Sequence, residues 1–147
     1  MSRLLPLFLA LGTLFLGSPV PRAFADSVQI QVDIILAQDT QNGVDPRLSN
    51  LQSKLNQVFH FTSYRLISRE SFTLNSQGSS EISLPGSGSL SLQLVKLSGN
   101  QAVIQAEIHK GSFSILNTQF RLKRGGTVVL NGPANAEGAT IVGVSLV

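Results

Sequence analysis

Apolar and polar residues alternate along most of this chain, and a side-chain period of two fits an extended strand but not a helix. In Ser27–Gln38, SVQIQVDIILAQ, Val28, Ile30, Val32, Ile34 and Leu36 share one parity, opposite Gln29, Gln31 and Asp33. The same pattern returns in Ala102, Ile104, Ala106 and Ile108, with Gln105, Glu107 and His109 facing away. It returns again in Leu116, Thr118, Phe120 and Leu122, opposite Gln119, Arg121 and Lys123. Tyr64, Leu66, Phe72 and Leu74 predict another strand, broken near Arg69, and Ile82 with Leu84 a short one stopped by Pro85 and Gly86. Leu90, Leu92 and Leu94 begin a strand whose apolar parity then shifts to Val95 and Leu97, which predicts a bulge.

One segment breaks this rule. Asp45-Pro46 reads as a helix N-cap with proline at the first helical position, and Leu48, Leu51, Leu55, Val58 and Phe59 then fall at helical spacing. The expected helix runs from Pro46 to about Phe59. The expected fold is therefore mainly β with one helix. It is a single antiparallel sandwich or curled sheet of about seven or eight strands, with the amphipathic helix after the first strand laid over an open face or end.

The C-terminal stretch KRGGTVVLNGPANAEGATIVGVSLV invites a phosphate-loop reading, which needs G-x-x-x-x-G-K-[ST] followed by a helix. No Lys-Ser or Lys-Thr follows, and the next residues are β-branched. Gly125-Gly126 is expected to form a hairpin turn, with Asn131 to Gly138 as the connection to the last strand.

Arg3 followed by the apolar run Leu4–Leu16, then Gly17, Pro19 and Pro21, has the layout of a signal peptide. Ala23 and Ala25 meet the A-x-A rule, so cleavage is expected after Ala25, leaving one domain over residues 26–147. Arg3 and Arg22 leave with the leader, so eleven Lys and Arg fall to nine against eight Asp and Glu. A net charge of about +1 gives no electrostatic reason to expect nucleic acid or anionic lipid as a partner. The chain holds no cysteine, which excludes disulfides, thiolate metal sites and an acylated cysteine anchor. No Asn-x-Ser/Thr sequon is present. The expected address is the bacterial periplasm or the exterior, without a stable membrane anchor after cleavage.

Residues with catalytic potential are scattered. His60 and His109 lie on different predicted elements, without the spacing of a metal site. Asp39 and Asp45 flank Asn42-Gly43, but a calcium loop needs another register and a glutamate at its twelfth position. Gly86-Ser87-Gly88-Ser89 does not have the spacing of a nucleophile elbow. No catalytic residue, metal or cofactor is therefore assigned. With no tryptophan and one tyrosine, the chain offers little aromatic surface for stacking sugars or single-stranded nucleic acid. Arg121, Lys123 and Arg124 make a basic edge, joined by Lys110 across a hairpin and by His109 nearby. These five are the candidate interaction surface, and charge on an edge strand also discourages aggregation.

The segment VDIILAQDTQNGVDPRLSNLQSKLNQVFHFTSYRLIS, with the tail GGTVVLNGP and its terminal strand, resembles small uncharacterised exported bacterial proteins. GGTVVLNGP alone looks like the turn-strand-turn near the end of secretin outer-membrane domains. The expected function is a non-catalytic envelope module that binds or scaffolds another envelope protein, in association with secretion, by pairing its terminal strand with a partner's edge. Two alternatives stand beside it: a small hydrolase using Asp33, Glu70 or Glu107, and a carrier of a small apolar ligand.

Overall fold

A computed structural model describes residues 27–147, and the signal-peptide expectation with its cut after Ala25 lies outside them. Eight strands form two antiparallel sheets, and together with one α-helix they make a β-sandwich. The first sheet is built from β1 (Ser27–Gln38), β2 (Ser63–Asn75), β7 (Thr127–Asn135) and β8 (Gly138–Leu146), in the order β2-β1-β8-β7. The second holds β3 (Ser79–Leu84), β4 (Gly88–Ser98), β5 (Gln101–Lys110) and β6 (Phe113–Lys123), in that order.

The main core lies between the sheets. Val28, Ile30, Val32 and Ile34 of β1 and Val142, Val144 and Leu146 of β8 meet Leu90, Leu92 and Leu94 of β4 and Ala102, Ile104, Ala106 and Ile108 of β5, all buried. This is the parity that alternation predicts for one face of each strand. The parity shift in β4 is a bulge between Leu94 and Lys96, which leaves Val95 46% exposed. The expected break near Arg69 is a bulge at Ile67, two residues away, where pairing steps from Ile34↔Ser68 to Ile35↔Leu66; β2 otherwise runs on as one strand.

Beyond that step β1 is buried on both faces. A second core of Ile35, Ala37, Tyr64, Leu66 and Ile141 lies on the outside of the first sheet, covered by Leu48, Leu51 and Leu55. The segment that covers it is not the single helix expected from Pro46 to Phe59. A 3-10 turn, Pro46–Leu48, is followed by α1, Gln52–Val58. The Leu48 and Leu51 amides donate to the Asp45 and Leu48 carbonyls, three residues back, so the chain tightens before the α-helix begins. In this way Leu48, Leu51 and Leu55 all reach the sheet.

The C-terminal turns also differ from expectation. Gly125-Gly126 does not close a hairpin, because β6 and β7 belong to different sheets and the turn carries the chain between them. Gly125 has φ +84°, which only glycine adopts without strain. Its amide donates to Leu146 O at 2.7 Å and that of Gly126 to Lys123 O at 2.8 Å, so both amides are spent within the fold. Gly132-Pro133 lies inside β7 at a bulge between Asn131 and Ala134, and the hairpin to β8 closes later, where Asn135 pairs with Gly138. Thr140 is buried, and its hydroxyl has no hydrogen-bond partner. Among the described residues no helix is long and apolar enough to cross a membrane.

Candidate functional site

Four strands are edges, and they are finished differently. A free edge presents unpaired amides and carbonyls, which natural sheets cover, shorten or interrupt.

The β2 edge is covered along its first part, from Tyr64 to Leu66. The loop after β1 runs beside it, with Tyr64 N donating to Gly43 O at 3.0 Å and Asp45 N to Tyr64 O at 2.8 Å. Asp45 Oδ2 then accepts from Leu66 N at 3.1 Å, while Arg47 Nη2 donates to Leu66 O at 3.3 Å. Asp45 also caps the 3-10 turn through Arg47 N at 3.0 Å and pairs with the Arg47 guanidinium at 2.7 Å. Hydrogen bonds from the Arg47 side chain, then from its backbone amide, hold the Asp45 carboxyl well below the usual carboxylate range.

The β7 edge is interrupted by the Gly132-Pro133 bulge, and proline has no amide to offer a partner. Its Thr127 carbonyl accepts from Lys54 Nζ at 2.7 Å and its Ala134 carbonyl from Lys110 Nζ at 3.5 Å. The β3 edge is only six residues long.

The β6 edge has eleven residues and, among the described residues, no covering loop, lysine cap or proline. Its devices sit at its ends. Ile108 pairs with Leu116 and His109 with Ser114, so Ile115 is a bulge in β6 itself, and Arg121 and Lys123 stand near the other terminus. Phe113 is 75% exposed and Ile115 44%, while Leu116, Thr118 and Phe120, which point toward the core, are only half-buried. An open groove of 430 Å³, lined by Val95, Val103, Phe120, Lys96, Gln119 and Arg121, runs beside this end of the strand.

The five candidate surface residues are thus divided. Arg121, Lys123 and Arg124 lie at one end of β6 and in the turn after it. Lys110 pairs with Phe113 and His109 with Ser114 at the opposite end of the β5–β6 ladder, whose other terminus is Gln101↔Lys123. Lys110 therefore does not join the basic cluster as expected. The hairpin that links them runs the full length of the ladder, and one cross-strand pair cannot bridge it. His109 Nε2 stands 3.5 Å from Glu107 Oε2 on the outer face of β5.

The terminal strand is also not available as expected, because β8 lies between β1 and β7 with neighbours on both sides. Sequence reasoning identified the charges on β6 but passed over Phe113 and Ile115. The signal was present: two large apolar residues outside the inward parity of the strand, next to a glycine turn.

The acids do not gather. Asp33 lies on the outer face of the first sheet, 2% exposed, and receives Arg69 Nε at 2.8 Å and Nη2 at 3.0 Å. The hydrogen bonds to Asp33 raise the Arg69 pKa. Glu107 lies on the second sheet, facing away from Ala106 and Ile108 of the core. Glu70 is exposed on β2. A cleft of 530 Å³ at the end of the first sheet is lined by Gln38, Asn42, Asp45, Ser63, Arg65 and Glu137, and none of Asp33, Glu70 or Glu107 reaches it. Its Asp45 carboxylate is already engaged by Arg47 and Leu66, and the cleft is polar and open rather than enclosed and apolar. Among the described residues no three His, Asp or Glu side chains converge as metal ligands. Asp45 serves as the cap of the 3-10 turn.

Comparison of the chain with protein-family models, with curated proteins and with solved structures returned no match.

Proposed function

We propose that this protein is an exported, non-catalytic interaction module of the bacterial envelope, and that it recognises an extended strand laid against β6. One observation carries the reading. Among the described residues β7 is interrupted, β3 is short and β2 is covered from Tyr64 to Leu66, whereas β6 is uncapped from Leu116 to Lys123 and bordered by exposed Phe113 and Ile115. A strand added there would be held by main-chain hydrogen bonds, with selectivity from side chains that meet the groove of Val95, Val103 and Phe120. Arg121 and Lys123 would lay their aliphatic stems along one end of the incoming strand while their charges stay in water.

The test is capture of partners with the chain from Asp26 onward, beside two variants. In R121E/K123E the charges of β6 are reversed; in R65E a charge is reversed on the guarded β2 edge. A partner held at β6 is retained by the unaltered chain and by R65E but lost from R121E/K123E. Equal capture by all three, or recovery of the chain only as a solitary monomer, overturns the reading.

A further inference from the structure

We infer that the strand received by β6 is β6 of a second copy, paired antiparallel about a two-fold axis at Thr118, so that two four-stranded sheets join into one of eight strands. This rests on the reading of β6 as the interaction edge and names its partner.

The argument is the self-complementarity of the strand. Antiparallel pairing about Thr118 sets Leu116 opposite Phe120 and Asn117 opposite Gln119, each pair occurring twice, with Thr118 opposite its own copy. Leu116, Thr118 and Phe120 are the half-buried rim of the core, so these pairs cover the apolar surface that the isolated strand leaves open. Leu with Phe and Thr with Thr are favourable cross-strand neighbours, and the two amide side chains pair with each other on the outer face.

Charge selects the same arrangement. All the cations of β6 stand at its C-terminal end and the exposed apolar residues at its N-terminal end. Antiparallel pairing brings Ile115 and Phe113 of one copy toward Arg121 and Lys123 of the other, whose aliphatic stems cover apolar surface while their charges stay in water. Parallel pairing would instead stack Arg121 on Arg121 and Lys123 on Lys123. A two-fold contact uses the same patch on both copies and is then complete, so the assembly stops at two.

The absence of cysteine supplies a direct test, because a single introduced thiol reports on its own position. T118C places two thiols across the axis, at the spacing of directly opposed residues in a ladder. Mild oxidation is expected to convert most of T118C to a disulfide-linked dimer, while T73C on the β2 edge and S91C on the outer face of β4 remain monomeric. Unaltered protein is expected to sediment with a concentration-dependent shift from monomer to dimer. N117K/Q119K, at two positions exposed in the single chain, sets lysines against lysines in both outer pairs and is expected to weaken the dimer by about tenfold or more. The inference is overturned if T118C links no faster than T73C and S91C, or if the unaltered chain stays monomeric at every concentration. It is also overturned if N117K/Q119K leaves a dimer of undiminished strength. Loss of partners in R121E/K123E together with a strictly monomeric chain would refute self-pairing while leaving β6 as the recognition edge.

Discussion

The two outer faces of the sandwich have opposite characters. The second sheet turns Ser91, Gln93, Gln105, Glu107, His109, Asn117 and Gln119 outward, away from the core, and among the described residues no helix packs over them. The first sheet turns Asp33, Ile35 and Ala37 outward and covers them with the 3-10 turn and α1. Both start from the same period of two. The difference is that one loop between paired strands is long enough to fold back, and it makes an outward position apolar or ion-paired rather than merely polar. Lys54, reaching from α1 to the Thr127 carbonyl, and Arg69, donating to both Asp33 and the Arg47 carbonyl at 3.1 Å, fasten that cover across the sheet. A bare polar face needs no such fastening.

The largest test of this contrast is Leu55→Ala. Leu55 is fully buried in the outer core, so its truncation is expected to cost about 3 kcal/mol, measured by urea unfolding. A cost below about 1 kcal/mol would show that the cover is not packed as described. Arg69→Ala comes next. It leaves the buried Asp33 carboxylate unpaired, and because the Arg69 side chain is 35% exposed the expected loss is about 2 kcal/mol, less than for a fully buried pair. Replacing both partners together, D33L/R69M, is expected to recover most of that loss, since apolar residues suit a covered face.

Asp45→Asn gives a smaller effect with a distinctive pH dependence. A carboxyl whose folded pKa is depressed contributes its stability above the unfolded value of about 4 and loses it as pH falls toward the folded value. The gap in melting temperature between the natural chain and D45N is therefore expected to be full at neutral pH and to narrow steadily as the solution is acidified below about pH 4. A gap that does not change with pH would assign the effect to something other than the Asp45 charge. Gln105→Ala on the bare face is the smallest, within about 0.5 kcal/mol despite its hydrogen bond to Asn117, and a loss above 1 kcal/mol would mean that this face is covered after all.

Much of this was legible in the chain. The inward parity of β1, β4, β5 and β6, the bulge at Val95 and the start of the covering segment at Asp45-Pro46 all follow from near neighbours. The burial of Asp33 was not legible, because period two assigns it to solvent and only the cover makes it internal. The same holds for Gly132-Pro133, which reads as a loop but is a bulge inside an edge strand, held by pairing with β8.

Residue order by itself determined the strand periods, most of the turns and the exclusion of thiol chemistry, since these depend on each residue and those within a few positions of it. Only the tertiary structure decided that β8 is enclosed and β6 open. Pairing joins segments as distant as Ile30 and Leu146, and whether a strand has one neighbour or two depends on the arrangement of the whole sheet. That arrangement, rather than the local charge of Arg121, Lys123 and Arg124, is what leaves β6 with a neighbour on one side only.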